Sequence, residues 1–491
     1  MSARTEVAAT APEAPDRLMY VGGRWEPAAD GARVQSVDPA TEAVIATVPE
    51  AGPTDVDRAV GAATAAAPSW CDLGWAARAA MLRQLAGRIE EHAEDLARLD
   101  VRDGGAPLTG MRADVHSAVG EIHYYAGIAP QTGGSTGPVS PESLSYTQRE
   151  PYGVVGRIIP FNHPFKFAAA KVAAPLAAGN AVVLKPGEQT SLSALELARL
   201  AHDVLPAGVL NVVTGRGPTT GAALVSHPGV PRIAFTGSVP SGRAVLHAAA
   251  DEIKHVSLEL GGKNPIIVFP DVDVARAAGA AVAAMNIARC TGQSCGSTSR
   301  LYVHDEVYDA FLAALQARLA ELRIGDPMDE QTQVGPLAFA DHHRRVTGHV
   351  ETARAEGATV LYGGGRPAGL PRGFYLEPTV LTDLTDDMTV VREEVFGPVM
   401  SVLRWRDVDD VVRRANDTPL GLTANVWTRD LSTAHRVTRS LQAGYVSVNG
   451  SGRRPLGMPF GGWKHSGLGQ ENALAELQSY TREKSVTVTL W

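Results

Sequence analysis

The chain has 491 residues, too many for one simple hydrophobic core, so two or more domains are expected. Hydrophobic residues make up 44% and charged residues 20%, a globular composition, and the net charge of −8 argues against a nucleic-acid surface or a general affinity for anionic membranes. No run of eighteen apolar residues offers a membrane span, and the three cysteines, Cys71, Cys290 and Cys295, imply no disulfide framework.

The opening stretch, MSARTEVAATAPEAPDR, lacks an apolar segment and reads as a tail rather than a signal peptide, so a cytoplasmic protein is expected. Residues 19–48 hold short β-like runs (MYVGGRW, ARVQSVD, VIATVPE). From Thr54, a plausible N-cap, to Asp100 the pattern is helical, with Leu82, Leu85, Ile89, Leu96 and Leu99 recurring at helical spacing. Residues 130–143, rich in Gly, Pro, Ser and Thr, read as a loop. SLSYTQRE and GVVGRIIPF follow as strands.

Between residues 153 and 262 strands alternate with helices: AVVLKP, NVVTG, RIAFTGS and HVSLELGG are separated by helical stretches. This predicts a parallel sheet covered by helices on both faces. Residues 265–440 repeat the habit with PIIVF, RLYVH, PTVLTD, VMSVLRW and ANVWT, a second α/β unit. The strictly alternating SVTVTLW at the end has no neighbour left in sequence order and needs an edge to pair with, such as one on another subunit.

Chemistry concentrates in a few places. Cys295 lies in IARCTGQSCGSTSR among Gly292, Ser294, Gly296 and Ser297, small neighbours that let an electrophile approach the thiol. A cysteine beside glycine is also an ordinary packing residue. TGRGPTTG (Gly215, Gly217, Gly221) and FTGSVPSG (Gly237, Ser238, Gly242) follow strands. They are either phosphate-cradling helix starts or plain tight turns, since neither matches the GxGxxG pattern. Lys185 and Glu188 in LKPGEQT can hydrogen-bond a ribose, or lie on a solvated loop. Asn162, between Pro160 and Pro164, offers a rigid amide donor for an oxyanion, or a turn asparagine. Glu259 in SLELGGK suits a general base if its site is apolar, or a strand-end ion pair. The fourteen histidines present no metal-ligand spacing, and no serine sits in a GxSxG turn.

Taken together, PFNHP (160–164), KPGE (185–188), GRGPTTG (215–221), FTGSxxxG (235–242), LELGGKNP (258–265), GQSC (292–295), EEVFGPV (393–399) and PFGGWKHSG (459–467) resemble the aldehyde dehydrogenase superfamily over nearly the whole chain. The resemblance implies an α/β subunit in three parts. A Rossmann-like cofactor domain would span residues 1–130 and 152–261, and an α/β catalytic domain 262–463. A small β oligomerisation element, residues 133–151 with 477–491, would make a homodimer or homotetramer by pairing SVTVTLW with a neighbour's sheet.

It further implies that Cys295 attacks the aldehyde to form a thiohemiacetal and then a thioester. Asn162 would hold the oxyanion, and Glu259 would activate the water that releases a free acid. NAD, with NADP as the alternative, would be bound by Ile159, Pro160, Phe161, Lys185, Glu188, Gly217, Gly221, Phe235, Gly237, Ser238, Leu260, Glu394 and Phe396; no metal is implied. The substrate pocket would include His163, Lys166, Ala170, Arg453, Arg454 and Phe460. Ala170, where an aromatic is frequent in the family, implies a wider pocket. Arg453, Arg454 and Lys166 either favour an aldehyde bearing a carboxylate or face solvent. Cys290, where asparagine is common, reads as a small packing residue. A CoA-acylating enzyme and a catalytically silent cofactor-binding relative are the alternative readings. Neither nucleic acid nor membrane is an expected partner.

Overall fold

A computed structural model describes residues 15–451 and 454–489. Its first sheet has eight strands, in the order Arg24–Glu26, Met19–Val21, Leu210–Val212, Ala181–Lys185, Val154–Ile158, Arg232–Thr236, His255–Glu259 and Gly467–Leu468. The five central strands are parallel and the flanking ones antiparallel. Neighbouring residues on one strand enter different cores: Val182 and Leu184 pack in one cluster, Ala181 and Val183 in another. Burial on both faces is why these strands read as continuous apolar runs rather than alternating ones.

The chain leaves Val154–Ile158 toward Ala181–Lys185 on one side and later returns to Arg232–Thr236 on the other. The crevice outside the carboxyl ends of strands at such a reversal is the usual ligand position in open α/β sheets.

The second sheet has seven strands, in the order Thr359–Tyr362, Thr379–Thr382, Val399–Trp405, Arg300–His304, Pro265–Val268, Thr423–Trp427 and Tyr445–Val448. Only Thr359–Tyr362 runs antiparallel. Its strands also feed two cores, Ile266 and Val268 into one and Ile267 into the other. Five residues separate Glu259, ending one sheet's strand, from Pro265, starting the other's. The carboxyl edge of the first sheet therefore faces the amino edge of the second. That junction holds the site.

Three expectations need correction. The helical stretch is three helices, Pro53–Asp72, Gly74–Glu91 and Ala93–Gly104, and the first is capped by Gly52 rather than Thr54. Pro53 takes the first helical position, where its missing N–H costs nothing, and Gly74 at φ +76° marks the first break. Within 130–143, Thr136–Ser140 is a strand. The C-terminal strand begins earlier, at Thr481, and pairs antiparallel with Ser143–Pro151 of its own chain, so the edge it needed is intramolecular. No helix among the described residues is long and apolar enough to cross a membrane.

Candidate active site

Cys295 sits in the loop between the short helix Ile287–Cys290 and the strand Arg300–His304. The loop is shaped by left-handed residues: Asn286 and Thr291 bracket the helix, and Gly292 follows at φ +74°. A Cβ on Gly292 would lie 2.6 Å from the backbone of Gly397, so only glycine fits there. The Asn264 amide donates to the Cys295 carbonyl at 2.7 Å, tying the loop to the start of the second sheet. Gln293 clamps it from the far side by accepting from the Ala338 N–H at 3.0 Å.

The junction brings the sequence candidates together. Asn162, buried just beyond the strand Val154–Ile158, donates through Nδ2 to the Gln293 carbonyl at 2.8 Å, two residues from Cys295. Glu259 is buried, and neither of its carboxylate oxygens has a hydrogen-bond partner. Burial and then the negative charge of Glu471 push its pKa well above the usual carboxylate range. Burial likewise pushes the Cys295 thiol up to about 11, against the opposing pull of the Arg454 guanidinium. Both groups are thus biased toward their protonated forms, and the charge of Glu259 reaches Cys295. Cys290 is buried in the apolar core, its thiol donating to the Asn286 carbonyl, and all three cysteines are free. That is the behaviour of a packing residue.

At the carboxyl edge of the first sheet, Ile159 N–H donates to the Lys185 carbonyl at 3.1 Å, fixing the Pro160–Phe161 turn beside KPGE. Burial pushes Lys185 down to about 8. Glu188 accepts from the Gly217 N–H at 3.0 Å, which links two of the sequence candidates. Gly221 closes the helical turn begun by Gly217. Gly237 must be glycine because a Cβ would meet the Phe235 ring at 2.5 Å. Ser238 then caps the helix Val239–Ala250, accepting from the Ser241 N–H, and Leu260 packs under Gly242. On the opposite wall Glu394 accepts from the Gly262 N–H at 2.9 Å, and burial pushes its pKa up to about 7. Phe396, at φ +58°, places its ring 5.8 Å from that of Phe161.

A cleft of about 1360 Å³ opens from Cys295, with His163, Lys166, Phe167 and Arg454 among its lining. Lys166 is 3.7 Å from Glu121, so part of its charge is already answered. Arg454 lies flat over Phe460 at 3.7 Å and leaves a buried Nη1 without a partner. Ala170 is not in the wall: it is 1% exposed and packed in the helical core, one turn too deep. Arg453 lies outside the described residues.

Behind the site stands a buried network that no motif announced. Arg157 donates to one oxygen of Glu471 at 2.7 Å and Lys171 to the other. A second cluster, also unannounced, joins His163, Asp114 and Arg289.

The family model of the aldehyde dehydrogenase family matches residues 25–486. The chain belongs to the aldehyde dehydrogenase family. Among characterised members, the hydroxyisobutyraldehyde dehydrogenase of Mycolicibacterium austroafricanum is 44% identical over 476 residues, covering 96% of this chain and 94% of that one. The NAD+ complex of the Bacillus cereus aldehyde dehydrogenase superimposes with a TM-score of 0.94 at 41% identity, covering 97% of each chain. PnpE from Pseudomonas sp. WBC-3, in complex with nicotinamide adenine dinucleotide, gives 0.94 at 40% identity over 96% of this chain and 97% of that one. Aldehyde dehydrogenases are oxidoreductases acting on the aldehyde group, and this chain carries their fold with mixed α/β sheets.

Proposed function

We propose that the protein oxidises an aldehyde to its free carboxylic acid with NAD, NADP being the second acceptor. The observation that carries this reading is the meeting of Cys295, Asn162 and an unpartnered Glu259 at the junction of the two sheets. The Cys295 thiol gives its proton to solvent, and the thiolate adds to the aldehyde carbon as the C=O π pair moves onto oxygen. The Asn162 amide with the Cys295 N–H holds the oxyanion. The nicotinamide, when bound, supplies the acceptor for the hydride that converts the adduct to a thioester. Glu259, whose oxygens have no competing donor, then takes a proton from the water that cleaves the thioester.

The chain's residues fit that cofactor. The Ser238-capped helix start and the backbone at Gly237 offer N–H groups to a pyrophosphate. Lys185 and Glu188 suit the ribose hydroxyls, and a carboxylate there disfavours a 2′-phosphate. The backbone around Ile159, Pro160 and Phe161, with Phe235, Gly217, Gly221 and Leu260, would line the adenosine side. Glu394 and Phe396 would flank the nicotinamide side. The cofactor part would be formed by residues 1–130 with 152–261, of which 1–14 lie outside the described residues, and the catalytic part by 262–463, of which 452–453 do. The strands around 133–151 with 477–491 would serve assembly as a homodimer or homotetramer. Support comes from the three-stranded sheet they form, whose outer strands Thr136–Ser140 and Thr481–Thr489 are its edges. A cytoplasmic location completes the reading.

Arg454, with its unpartnered Nη1, would meet a polar or carboxylate-bearing tail of the substrate at the cleft mouth. The relative from Mycolicibacterium austroafricanum is named for a hydroxylated aldehyde, so short hydroxyaldehydes belong in the assay panel beside neutral and acidic ones. Turnover is followed as reduced cofactor, with the acid identified as product. Cys295→Ala should abolish it, a loss on the order of 10⁴-fold or more. Formation of acyl-CoA on adding coenzyme A would replace this reading by the acylating one. Cofactor binding without turnover of any aldehyde would leave a silent relative.

A further inference from the structure

The cleft wall next to the oxyanion amide is polar in a way that the oxidation chemistry does not use. His163 directly follows Asn162 and precedes the helix Pro164–Ala177. Its ring lines the cleft and packs edge-on against Phe167, centroids 5.4 Å apart. Its Nδ1 is hydrogen-bonded to Asp114 Oδ2. Asp114, on the helix Leu108–Ile128, is completely buried, and its other oxygen accepts from Arg289 Nε at 3.1 Å.

That arrangement decides what His163 shows the cleft. Asp114 is a carboxylate: burial opposes its charge, but His163 and Arg289 hold its pKa below the usual range. It can only accept, so the proton between the two residues belongs to Nδ1. Arg289 already balances the Asp114 charge, which removes the main drive to protonate the imidazole. Burial, with the positive charges of Arg289 and Lys166, lowers the His163 pKa below its ordinary value despite Asp114. The ring is therefore neutral in one tautomer, and Nε2 is a lone-pair acceptor with no hydrogen-bond partner among the described residues. An apolar tunnel wall would need none of this. A buried carboxylate is costly unless it is paired. Here Asp114 is paired on one oxygen by the part-buried Arg289 and on the other by His163, which fixes the imidazole in place.

We propose that His163 accepts a hydrogen bond from a hydroxyl on the carbon beside the aldehyde carbon or one further along, so that the substrate class is a short 2- or 3-hydroxyaldehyde. The inference rests on the oxidation reading above and names the substrate of that same site. The position suits it: His163 and Cys295 line the same cleft, and the neighbouring Asn162 is anchored two residues from Cys295. Glu121, another acceptor in the cleft lining, is engaged by Ser117 and faces Lys166.

The test compares kcat/KM for 2-hydroxypropanal and 3-hydroxypropanal with that for propanal, using NAD and the full-length protein. The wild-type ratio should favour a hydroxyaldehyde by about 10- to 100-fold, the scale of one satisfied buried hydrogen bond. His163→Phe, similar in footprint and without an acceptor, should bring the ratio near one. His163→Gln, which restores an acceptor oxygen, should recover part of it. A wild-type ratio near one, or a ratio unchanged in His163→Phe, overturns the inference while aldehyde oxidation stands. The wild-type ratio decides even if a variant fails to fold. No oxidation of any aldehyde with either cofactor would overturn the functional reading itself, and this inference with it.

Discussion

Glu259 and Glu471 share one buried region and are each 5% exposed, yet their chemistry is opposite. Burial pushes both toward the neutral acid. Glu471 is held down at about 2 because Lys171 and Arg157 each donate to one of its oxygens. Glu259 has no donor at all, and the settled negative charge of Glu471 raises it further. One carboxyl is a structural anion and the other is biased toward the neutral acid, with a high affinity for a proton once ionised. The difference lies in the partners, since the burial is the same. A general base needs its lone pairs unoccupied, and the cluster behind it supplies a charge that raises its affinity for a proton.

The largest test of this contrast is Glu259→Gln. Losing the base should lower steady-state turnover by about a hundred- to ten-thousand-fold, while a single burst of reduced cofactor per site, seen by stopped-flow absorbance, survives. Full steady-state turnover would make Glu259 a bystander. Next comes Lys171→Met, which leaves a buried carboxylate half-paired. It should cost about 3–5 kcal/mol of stability, the usual penalty for removing one partner of a buried ion pair, measured by urea unfolding. Glu259→Gln should change stability by less than about 1 kcal/mol, because Glu259 has no hydrogen bond or ion pair to lose.

The smallest effect is the pH dependence, and the two carboxyls should bend it in opposite directions. Glu471 has a depressed pKa, so its contribution is complete above the unfolded-chain value near 4.5. That contribution fades as the pH falls toward 2. The stability gap between wild type and Glu471→Gln should close over that window. Glu259 has a raised pKa, so it favours the fold only while protonated. Glu259→Gln should gain on wild type as the pH rises through the folded-state value. Parallel curves for the two variants would mean that the carboxyls titrate alike. Turnover should also climb as the pH rises toward the raised Cys295 value of about 11, since both the Glu259 carboxylate and the Cys295 thiolate are the deprotonated forms.

Much of the fold was legible because its signals are local. The apolar runs AVVLKP, RIAFTGS, PIIVF and RLYVH announced strands buried on both faces, and each is a strand of one of the two sheets. The helical stretch after residue 53 was right in type, but its division into three helices was not legible. The first break falls at left-handed Gly74 and the second at His92, within a pattern whose spacing otherwise continues. The terminal strand was legible as a strand. Its partner, Ser143–Pro151, lies more than 300 residues earlier, and alternation says nothing about which edge will be offered. Ala170 shows the limit of counting positions: eight residues past Asn162 is two helical turns, and only the packing of that helix decides whether the side chain meets the cleft or the core.

At the site, the sequence by itself marked as candidates the residues whose chemistry is suggested by their immediate neighbours. Cys295 stands among small residues, Gly237 and Ser238 follow a strand-like run, and Glu259 precedes a glycine pair. The tertiary structure alone decided protonation and pairing. Arg157 and Glu471 are 314 residues apart, and Asp114 reaches His163 over 49 and Arg289 over 175. A lone arginine in a strand or an aspartate in a helix carries no local mark of such a partner. The reason is physical: backbone preference and hydrophobic period act over a few residues, whereas the charge state of a buried group depends on whatever the fold brings within a few ångströms.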